Sequence, residues 1–245
     1  MLLATDLDGT FLGGTDADRT LLYDIIRENK DLRLVFVTGR GVNSVLQLLE
    51  ESRLPLPRPE YIICDVGATV THLETMQMVE PIQSRIAALW PGEQVRERMA
   101  IVNGLIQEDT HQQFRCTFRY DEGTDIAHAK ALTTELSCDL LLSAGTYLDI
   151  MPKGVNKGYT LQKLLAHLGV PEEDVLIAGD TMNDFAMYET GITGVVVGGA
   201  EEELVNLTAH MPHVLQTQRE GAAGILEAMS MHRAFAAIVE NLTIK

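Results

Sequence analysis

Leu2-Leu3-Ala4-Thr5-Asp6-Leu7-Asp8-Gly9-Thr10 opens the chain as a short apolar run that ends in two aspartates and a glycine. This pattern predicts a buried strand followed by a tight turn. Alternation along an extended segment places Asp6 and Asp8 on the same side. One carboxylate could then act as a nucleophile while the other, kept protonated, donates to a leaving oxygen. A solvated acidic pair in a turn is the alternative.

Apolar runs of the same kind recur and end in polar, glycine-rich turns. They predict buried parallel strands at Leu2–Thr5, Leu34–Val37, Tyr61–Cys64, Val175–Ala178 and Gly194–Val197. Stretches of helical period between them predict helices at Ala17–Asn29, Val42–Glu51, Tyr159–Leu168 and Asp184–Glu189. This βαβ alternation predicts an α/β fold with a doubly wound, mostly parallel, Rossmann-like core sheet.

The middle third of the chain has a different pattern. It comprises a helical stretch broken near Pro91-Gly92, an alternating run, a second helix and two strands, at Ile82–Gln107, Gln113–Tyr120, Asp125–Leu136, Asp139–Ser143 and Tyr147–Met151. Such a mixture predicts a small α+β insert with antiparallel strands. We therefore expect a core made of residues 1–80 and 155–245, with a cap at 81–154.

Composition restricts the classes of partner. Thirty-five acidic against 19 basic residues give a net charge of −16, which repels nucleic acid and anionic lipid. An anionic small substrate would need a divalent cation held by clustered carboxylates. The three cysteines lack CxxC spacing, and neither a signal peptide nor an apolar stretch of about 18 residues is present. We expect a cytoplasmic protein, a monomer or small homo-oligomer, free of membrane and nucleic acid.

Two further motifs follow predicted strands. The Thr38 hydroxyl and the amides after it in Thr38-Gly39-Arg40 could hold phosphate oxygens at a helix N-terminus, although a simple helix cap would look the same. Gly179-Asp180-Thr181-Met182-Asn183-Asp184 places two aspartates and an asparagine at a strand end. These hard oxygen donors suit Mg²⁺, and an Asp/Asn cap is the alternative.

A lysine opens the first helix after the insert. In Asn156-Lys157-Gly158, Lys157 could project toward the same edge of the sheet and stabilise phosphate charge. A solvated surface lysine is the alternative. Its position relative to the other motifs favours the functional interpretation.

In this order, DxDGT, TGR, lysine and GDxxND, the chain resembles the haloacid dehalogenase superfamily of phosphotransferases. The resemblance implies that Asp6 is the nucleophile and Asp8 the general acid/base. It implies that Thr38, Gly39 and Lys157 bind phosphate. It also implies Mg²⁺ as cofactor, with Asp6, Asp180 and the backbone carbonyl of Asp8 as ligands, and with Asn183 and Asp184 holding the metal's waters and Lys157 in place.

The second aspartate and the position of the insert narrow the resemblance. Asp8 favours a phosphatase, because the superfamily's dehalogenases lack this residue and its ion pumps carry threonine there. An α+β insert between the second and third motifs is similar to a subgroup that hydrolyses mostly sugar phosphates. The stretches that resemble its sucrose-phosphate phosphatase-like branch are residues 61–68, 148–152 and 220–226. Lys153-Gly154-Val155 departs from the Gln-Arg-Ser of that branch, so contacts to the leaving group are expected to differ.

The predicted function is therefore hydrolysis of a sugar phosphate, with a disaccharide phosphate such as sucrose 6-phosphate as the first candidate. A hexose phosphate or a glycosyl-glycerate phosphate as substrate, a phosphosugar mutase, and a non-catalytic sugar-phosphate binder are the alternatives. Candidate substrate contacts are Arg40, Arg115, Arg119 and Lys153. Arg115 and Arg119 share one face of the predicted strand, where a solvated strand edge is the other interpretation.

Overall fold

The computed structural model of the chain describes residues 1–108, 112–143 and 145–243. The strands are β1 Leu2–Thr5, β2 Arg33–Val37, β3 Tyr61–Cys64, β4 Thr69–His72, β5 Gln77–Met78, β6 Ile106–Gln107, β7 Cys116–Arg119, β8 Cys138–Ser143, β9 Tyr147–Pro152, β10 Val175–Gly179, β11 Gly194–Gly198 and β12 Val214–Glu220. The α-helices are α1 Asp16–Glu28, α2 Val42–Glu51, α3 Ile82–Ala88, α4 Gly92–Met99, α5 Ile126–Glu135, α6 Lys157–Leu168, α7 Phe185–Tyr188, α8 Glu202–Thr208, α9 Gly221–Met231 and α10 Ala236–Thr243.

Within the described ranges, eight strands form the core sheet in the order β12-β11-β10-β1-β2-β3-β4-β5. Neighbours from β12 to β3 run parallel, and β4 and β5 extend the sheet as antiparallel strands. The predicted α/β class with a mostly parallel sheet is confirmed. Because parallel strands end at one edge, the turns after β1, β2, β3 and β10 lie side by side.

Helices cover both faces of the core sheet. Successive residues of β1 point to opposite faces, so Leu3 belongs to one apolar layer and Leu2 and Ala4 to the other. The first layer includes residues of α1, α2 and α9, and the second includes residues of α3, α6, α7 and α8. This is the doubly wound arrangement that the βαβ alternation predicts.

A second sheet belongs to the middle third of the chain. Its strands run antiparallel in the order β6-β7-β9-β8. The helices α4 and α5 pack on it around a separate apolar cluster that contains Val95, Met99, Phe118, Leu132 and Leu148. The predicted α+β insert is thus present. Helix α3, at the start of the proposed 81–154 cap, instead packs on the core sheet through Ile82 and Ile86.

Trp90 lies at the junction of the core and the cap, between α3 and α4. The chain has one tryptophan, and this residue packs against both the core-sheet cluster and the cap cluster. Its indole nitrogen is buried without a hydrogen-bond partner among the described residues. The side chain therefore contacts both parts of the molecule through apolar packing.

Several elements differ from the sequence prediction. The predicted helix over Ile82–Gln107 is wrong beyond Met99: Gly104 adopts a left-handed conformation (φ 83°), and β6 pairs with β7. The predicted helix at Asp184–Glu189 is a single turn, Phe185–Tyr188. No described helix combines the length and apolar character that a membrane crossing requires.

Candidate active site

Three aspartates converge at the edge of the core sheet where β1 and β10 end. The parallel register pairs Thr5 with Ala178, and the amide of Asp6 donates to the Ala178 carbonyl at 2.9 Å. Asp6 follows β1, while Asp180 and Asp184 follow β10. One carboxylate oxygen from each lies within 4.8 Å of the others. The structure thus brings the first and last predicted motifs together.

Lys157 lies between two of these aspartates. Its side chain is fully buried, and its Nζ lies 2.6 Å from Asp6 Oδ1 and 2.5 Å from Asp184 Oδ1. Lys157 is the first residue of α6, and the preceding Asn156 caps that helix by accepting a hydrogen bond from the Tyr159 amide. A buried ammonium group requires such carboxylate partners. Its position agrees with the predicted projection of Lys157 toward this edge.

Asp184 and Asp180 are held by neighbouring groups. Asp184 Oδ2 accepts hydrogen bonds from the amides of Asp180 and Thr181, both at 3.0 Å. The Thr10 hydroxyl donates to Asp180 Oδ1 at 2.6 Å. Gly9 has a φ of 81°, and a Cβ there would collide with the Asp180 carboxylate. The glycine of the first motif therefore makes room for the aspartate of the last one.

Burial and crowding set the electrostatics of the cluster. Burial raises the pKa of Asp6, Lys157 opposes that shift, and Asp184 and Asp180 reinforce it. Burial also raises the pKa of Asp180 to about 6, against the hydrogen bond from Thr10. Burial lowers the pKa of Lys157, but Asp184 and Asp6 outweigh it, so that pKa lies above its ordinary value. Lys157 is thus positively charged among three carboxylates.

The donor set fits a divalent cation. Three aspartates face one lysine, so negative charge is in excess, and carboxylate oxygens are the ligands that Mg²⁺ prefers. The buried amide oxygen of Asn183 has no hydrogen-bond partner among the described residues, although such groups are normally satisfied. Both oxygens of Asp184 are already engaged, which leaves Asp6 and Asp180 as the carboxylates available to a metal.

The loop after β2 lies beside Asp6. Thr38 is buried; its amide donates to the Ile63 carbonyl at 2.8 Å, and its hydroxyl oxygen accepts from the Arg40 amide at 3.1 Å. Helix α2 starts after this loop, with Gly41 at its N-cap. This is the loop-then-helix arrangement predicted for phosphate binding.

Asp8 is exposed and forms an ion pair with Arg40. The Arg40 guanidinium donates from Nε to Asp8 Oδ2 at 2.7 Å and from Nη2 to Oδ1 at 2.6 Å. Both residues line the same cavity as Asp6. The structure therefore connects the first and second motifs through a bidentate ion pair.

A cavity of about 980 Å³ separates the core edge from the cap sheet. From the cap, Arg115, Thr117 and Asp149 line it. Arg115 is buried; its Nη2 donates to the Gly39 carbonyl at 3.0 Å, and its Nη1 lies 3.5 Å from Asp149 Oδ2. The Thr117 hydroxyl donates to Asp149 Oδ1 at 2.6 Å. Arg115 thus joins the cap directly to the predicted phosphate-binding loop.

The other two candidate substrate residues do not line the cavity, although Glu108 and Tyr147, which Arg119 contacts, do. Arg119 pairs with Glu108, and its guanidinium carbon lies 5.9 Å from the Tyr147 ring centroid. Lys153 is exposed and pairs with Asp139 at 2.5 Å. The alternation that places Arg115 and Arg119 on one face therefore does not bring both of them to the cavity.

Several residues at the site are not among the predicted site residues. They include Thr10, which contacts Asp180, and the cavity residues Asp65 and Asp149. Asp65 and Asp149 lie in the two stretches, 61–68 and 148–152, that carry the family resemblance. A buried acidic residue at or just after a strand is the signal that points to them.

Known structures have the same fold. The sucrose-phosphatase of Synechocystis sp. PCC6803, solved in complex with sucrose and phosphate, superposes with a TM-score of 0.84 at 24% identity. The alignment covers 95% of this chain and 97% of that one. Together, the fold and the site define a phosphatase of the haloacid dehalogenase superfamily.

The sequence comparisons identify the family. The family model described as Sucrose-6F-phosphate phosphohydrolase matches residues 1–233, and the chain belongs to this family. It is 33% identical to the mannosylfructose-phosphate phosphatase of Agrobacterium fabrum, over 93% of this chain and 95% of that protein. It is 44% identical to the glucosylglycerol-phosphate synthase of Pseudomonas anguilliseptica, over 93% of this chain but only 30% of the synthase. The chain therefore spans less than a third of that relative.

Proposed function

We propose that the chain is a magnesium-dependent phosphatase that hydrolyses a disaccharide phosphate, such as sucrose 6-phosphate, through an aspartyl-phosphate on Asp6. The observation that carries the proposal is the buried ion pair of Asp6 and Lys157, which Asp184 extends at the carboxyl edge of the sheet. Buried charges cost free energy, and such a cluster is typical of a catalytic site.

In the first step an Asp6 oxygen attacks phosphorus, and the bond between phosphorus and the sugar oxygen breaks. Asp8, released from its ion pair with Arg40 and protonated, donates a proton to the departing sugar oxygen. In the second step a water molecule attacks phosphorus, its proton passes to Asp8, and the bond from phosphorus to Asp6 breaks. Inorganic phosphate leaves and both aspartates return to their starting forms.

Phosphate charge would be held by Thr38, Gly39 and Lys157. The Lys157 ammonium lies 2.6 Å from the proposed nucleophile, so it faces any phosphoryl group bound there. Arg40 adds a second cation at the rim of the cavity, where it contacts Asp8. The cap, proposed as residues 81–154, would cover the site and exclude water.

Asp6, Asp180 and the Asp8 carbonyl would hold Mg²⁺, with Asn183 and Asp184 in support. The metal would supply positive charge that offsets repulsion between the Asp6 carboxylate and the phosphate ester. The excess of carboxylates over lysine and the unpaired Asn183 oxygen support this assignment.

Glucosylglycerol phosphate is the second candidate substrate. The synthase whose name includes this compound contains a region that is 44% identical to the present chain. A phosphatase-like region in such a protein suggests that related chains accept its phosphorylated product. The disaccharide phosphates remain favoured by the family match and by the mannosylfructose-phosphate phosphatase.

The test is an assay of phosphate release with and without Mg²⁺. The panel contains sucrose 6-phosphate, mannosylfructose phosphate, glucosylglycerol phosphate and hexose phosphates, and Asp6→Asn and Asp8→Asn are assayed beside the unaltered protein. Preference for one glycosylated phosphate, lost without metal and in both variants, supports the proposal. Equal slow turnover of all esters would remove the disaccharide assignment, and no metal-dependent release from any ester would refute the proposed activity.

A further inference from the structure

We propose that Asp65 is a specificity-determining residue that accepts a hydrogen bond from a hydroxyl group of a neutral, polyhydroxylated leaving group. This inference rests on the proposed phosphatase function and narrows its substrate class. It predicts that the protein favours a sugar or glycosyl-polyol leaving group over one that carries a carboxylate.

The position of Asp65 in the sheet places it on the leaving-group side of the site. Asp6, Thr38 and Asp65 directly follow β1, β2 and β3, which are neighbours in the sheet. Two strand spacings separate Asp65 from the nucleophile, about 10 Å, which a sugar joined to the phosphate can span. Asp180 lies on the other side of Asp6, after β10, so the proposed metal site and Asp65 flank the phosphate position.

The Asp65 carboxylate is buried and incompletely satisfied. It is 4% exposed, and its Oδ2 accepts a hydrogen bond from the Thr69 hydroxyl at 2.8 Å. Its Oδ1 has no hydrogen-bond partner among the described residues, although the Gln112 side chain interacts with this carboxylate. A buried acceptor without a donor is costly, and Asp65 lines the cavity beneath the cap. A substrate hydroxyl is the donor that would complete it.

The backbone around Asp65 is strained and firmly held. Asp65 and Val66 adopt left-handed φ angles of 54° and 56°, a conformation that a β-branched residue strongly disfavours. The Asp65 amide donates to the Arg40 carbonyl at 3.0 Å, and the Val66 amide donates to the Thr38 carbonyl at 3.1 Å. Strain of this kind concentrates at ligand-binding positions. The turn that contains Asp65 and Val66 is therefore held directly against the phosphate-binding loop.

The other side of this turn packs against the helix that carries Lys157. A Cβ at Gly67 would collide with the backbone of Asn156, the residue that caps that helix. The Thr160 hydroxyl also donates to the Gly67 carbonyl at 2.6 Å. Asp65 thus has a fixed position relative to the Thr38 loop and to Lys157, which are proposed to bind the phosphate. A residue that contacts the adjoining part of the substrate requires such a fixed position.

The charges near Asp65 favour a neutral leaving group. Arg115 faces Asp65 and Asp149, and its contacts to Gln112, the Gly39 carbonyl and Asp149 already engage its guanidinium. Two carboxylates around one arginine leave a net negative charge, which repels a glycerate carboxylate. A hydroxyl group can donate to Asp65 without that repulsion, whereas an aryl leaving group has no hydroxyl to offer.

The experiment compares Asp65→Ala and Asp65→Asn with the unaltered protein. Asp24→Asn, on the solvent-facing side of α1, is the control. The esters are sucrose 6-phosphate, glucosylglycerol phosphate, glucosylglycerate phosphate and p-nitrophenyl phosphate. In Asp65→Ala, kcat/KM for the neutral sugar esters is expected to fall roughly tenfold to a hundredfold, mainly through KM, while the aryl ester changes less than about twofold. Asp65→Asn is expected to improve the relative rate with the glycerate ester.

An equal fall on the sugar and aryl esters would overturn the proposal, because Asp65 would then support the loop rather than contact substrate. An unchanged rate on the sugar esters would overturn it as well. Calorimetric titration with sucrose and glucosylglycerol separates this inference from the proposed function, since it requires no turnover. If the protein bound sucrose or glucosylglycerol through Asp65 but released no phosphate, the proposed phosphatase activity would be refuted and the proposed Asp65 contact would stand. If it neither bound these sugars nor released phosphate, both proposals would be refuted.

Discussion

Charged groups at the edge of the core sheet and on the outer part of the cap sheet are paired in different ways. At the core edge, Lys157 is fully buried between Asp6 and Asp184, residues that are far away in the sequence. On the cap, Arg119 and Lys153 are exposed and pair with acidic residues in or directly after a neighbouring strand. The first arrangement depends on the whole fold, whereas the second requires only two neighbouring strands.

The difference indicates where chemistry and selectivity are located. Buried groups with fixed partners can be preorganised around a reacting phosphate, whereas exposed ion pairs contribute little to stability or positioning. Arg115 lies on the cap but is buried, as the charged groups at the core edge are, and its guanidinium donates to the Gly39 carbonyl. Its contrast with Arg119, four residues later, makes the comparison testable.

The largest effect is expected from the nucleophile. Asp6→Asn should lower kcat for phosphate release by a factor of about 10⁴ or more, because an amide cannot form the covalent intermediate. Single-turnover phosphate release measures it, with Asp24→Asn as a surface control. Turnover near the level of the unaltered protein would show that the buried cluster is structural.

Removal of the buried cation should be the most damaging change to the fold. Lys157→Met leaves Asp6 and Asp184 without their partner and is expected to lower the free energy of unfolding by roughly 3–5 kcal/mol. Urea unfolding measures the change. Lys163→Met, at an exposed position of the same helix, serves as the control and is expected to change it by less than about 0.5 kcal/mol. Equal effects of the two substitutions would show that burial between Asp6 and Asp184 gives Lys157 no special part in stability.

Metal should stabilise the core edge in a manner that depends on pH. In EDTA, the raised pKa of Asp180, about 6 against an ordinary 3.8, means that the folded protein binds more protons than the unfolded one. The contribution of Asp180 to stability therefore falls as pH rises from about 4 through about 6. Saturating Mg²⁺ should add about 2–3 kcal/mol and reduce that slope. Thermal unfolding of Asp180→Asn should lose the Mg²⁺ shift and the part of the slope that Asp180 contributes, whereas the raised pKa of Asp6 keeps the remainder of the slope. A Mg²⁺ shift that persists in this variant would place the metal elsewhere.

The smallest expected effect compares two arginines of the cap. Arg115→Gln should reduce kcat/KM about tenfold on sugar and aryl phosphates alike, because it breaks the contact to the phosphate-binding loop. Arg119→Gln should change it by less than about twofold, because its ion pair is exposed. Steady-state kinetics on both esters measure the two variants. If the two variants had the same kcat/KM, the contact between Arg115 and the Gly39 carbonyl would have no part in positioning the phosphate-binding loop.

The parallel strands at the centre of the core sheet are predictable from the sequence because their signals are local. The apolar runs of β1, β2, β3, β10 and β11 are visible without any partner, and those of β1, β2 and β10 are followed by the polar residues of a motif. The strands β4, β5 and β12 carry no such signal, and the helical pattern that includes β6 gives way to the left-handed Gly104 and the pairing of β6 with β7.

Site residues followed the same rule. Asp6, Lys157 and Asp180 lie in motifs whose order along the chain predicts a common edge, and the structure places them together. Arg115 and Arg119 have the same residue type and the same strand face, yet one is buried at the cavity and the other is solvated. Only tertiary packing distinguishes them, and no pattern within the strand contains that information. The position of the Asp65 carboxylate depends on a left-handed backbone conformation that the local sequence does not predict.

The position of Trp90 has an optical consequence. Because the chain has one tryptophan and it packs against both the core-sheet and the cap clusters, its fluorescence arises from the junction alone. A shift of the cap relative to the core would change the polarity around the indole ring and hence the wavelength and intensity of emission. The protein therefore contains its own spectroscopic probe, and adding phosphate or a sugar while recording emission would follow the junction without any label.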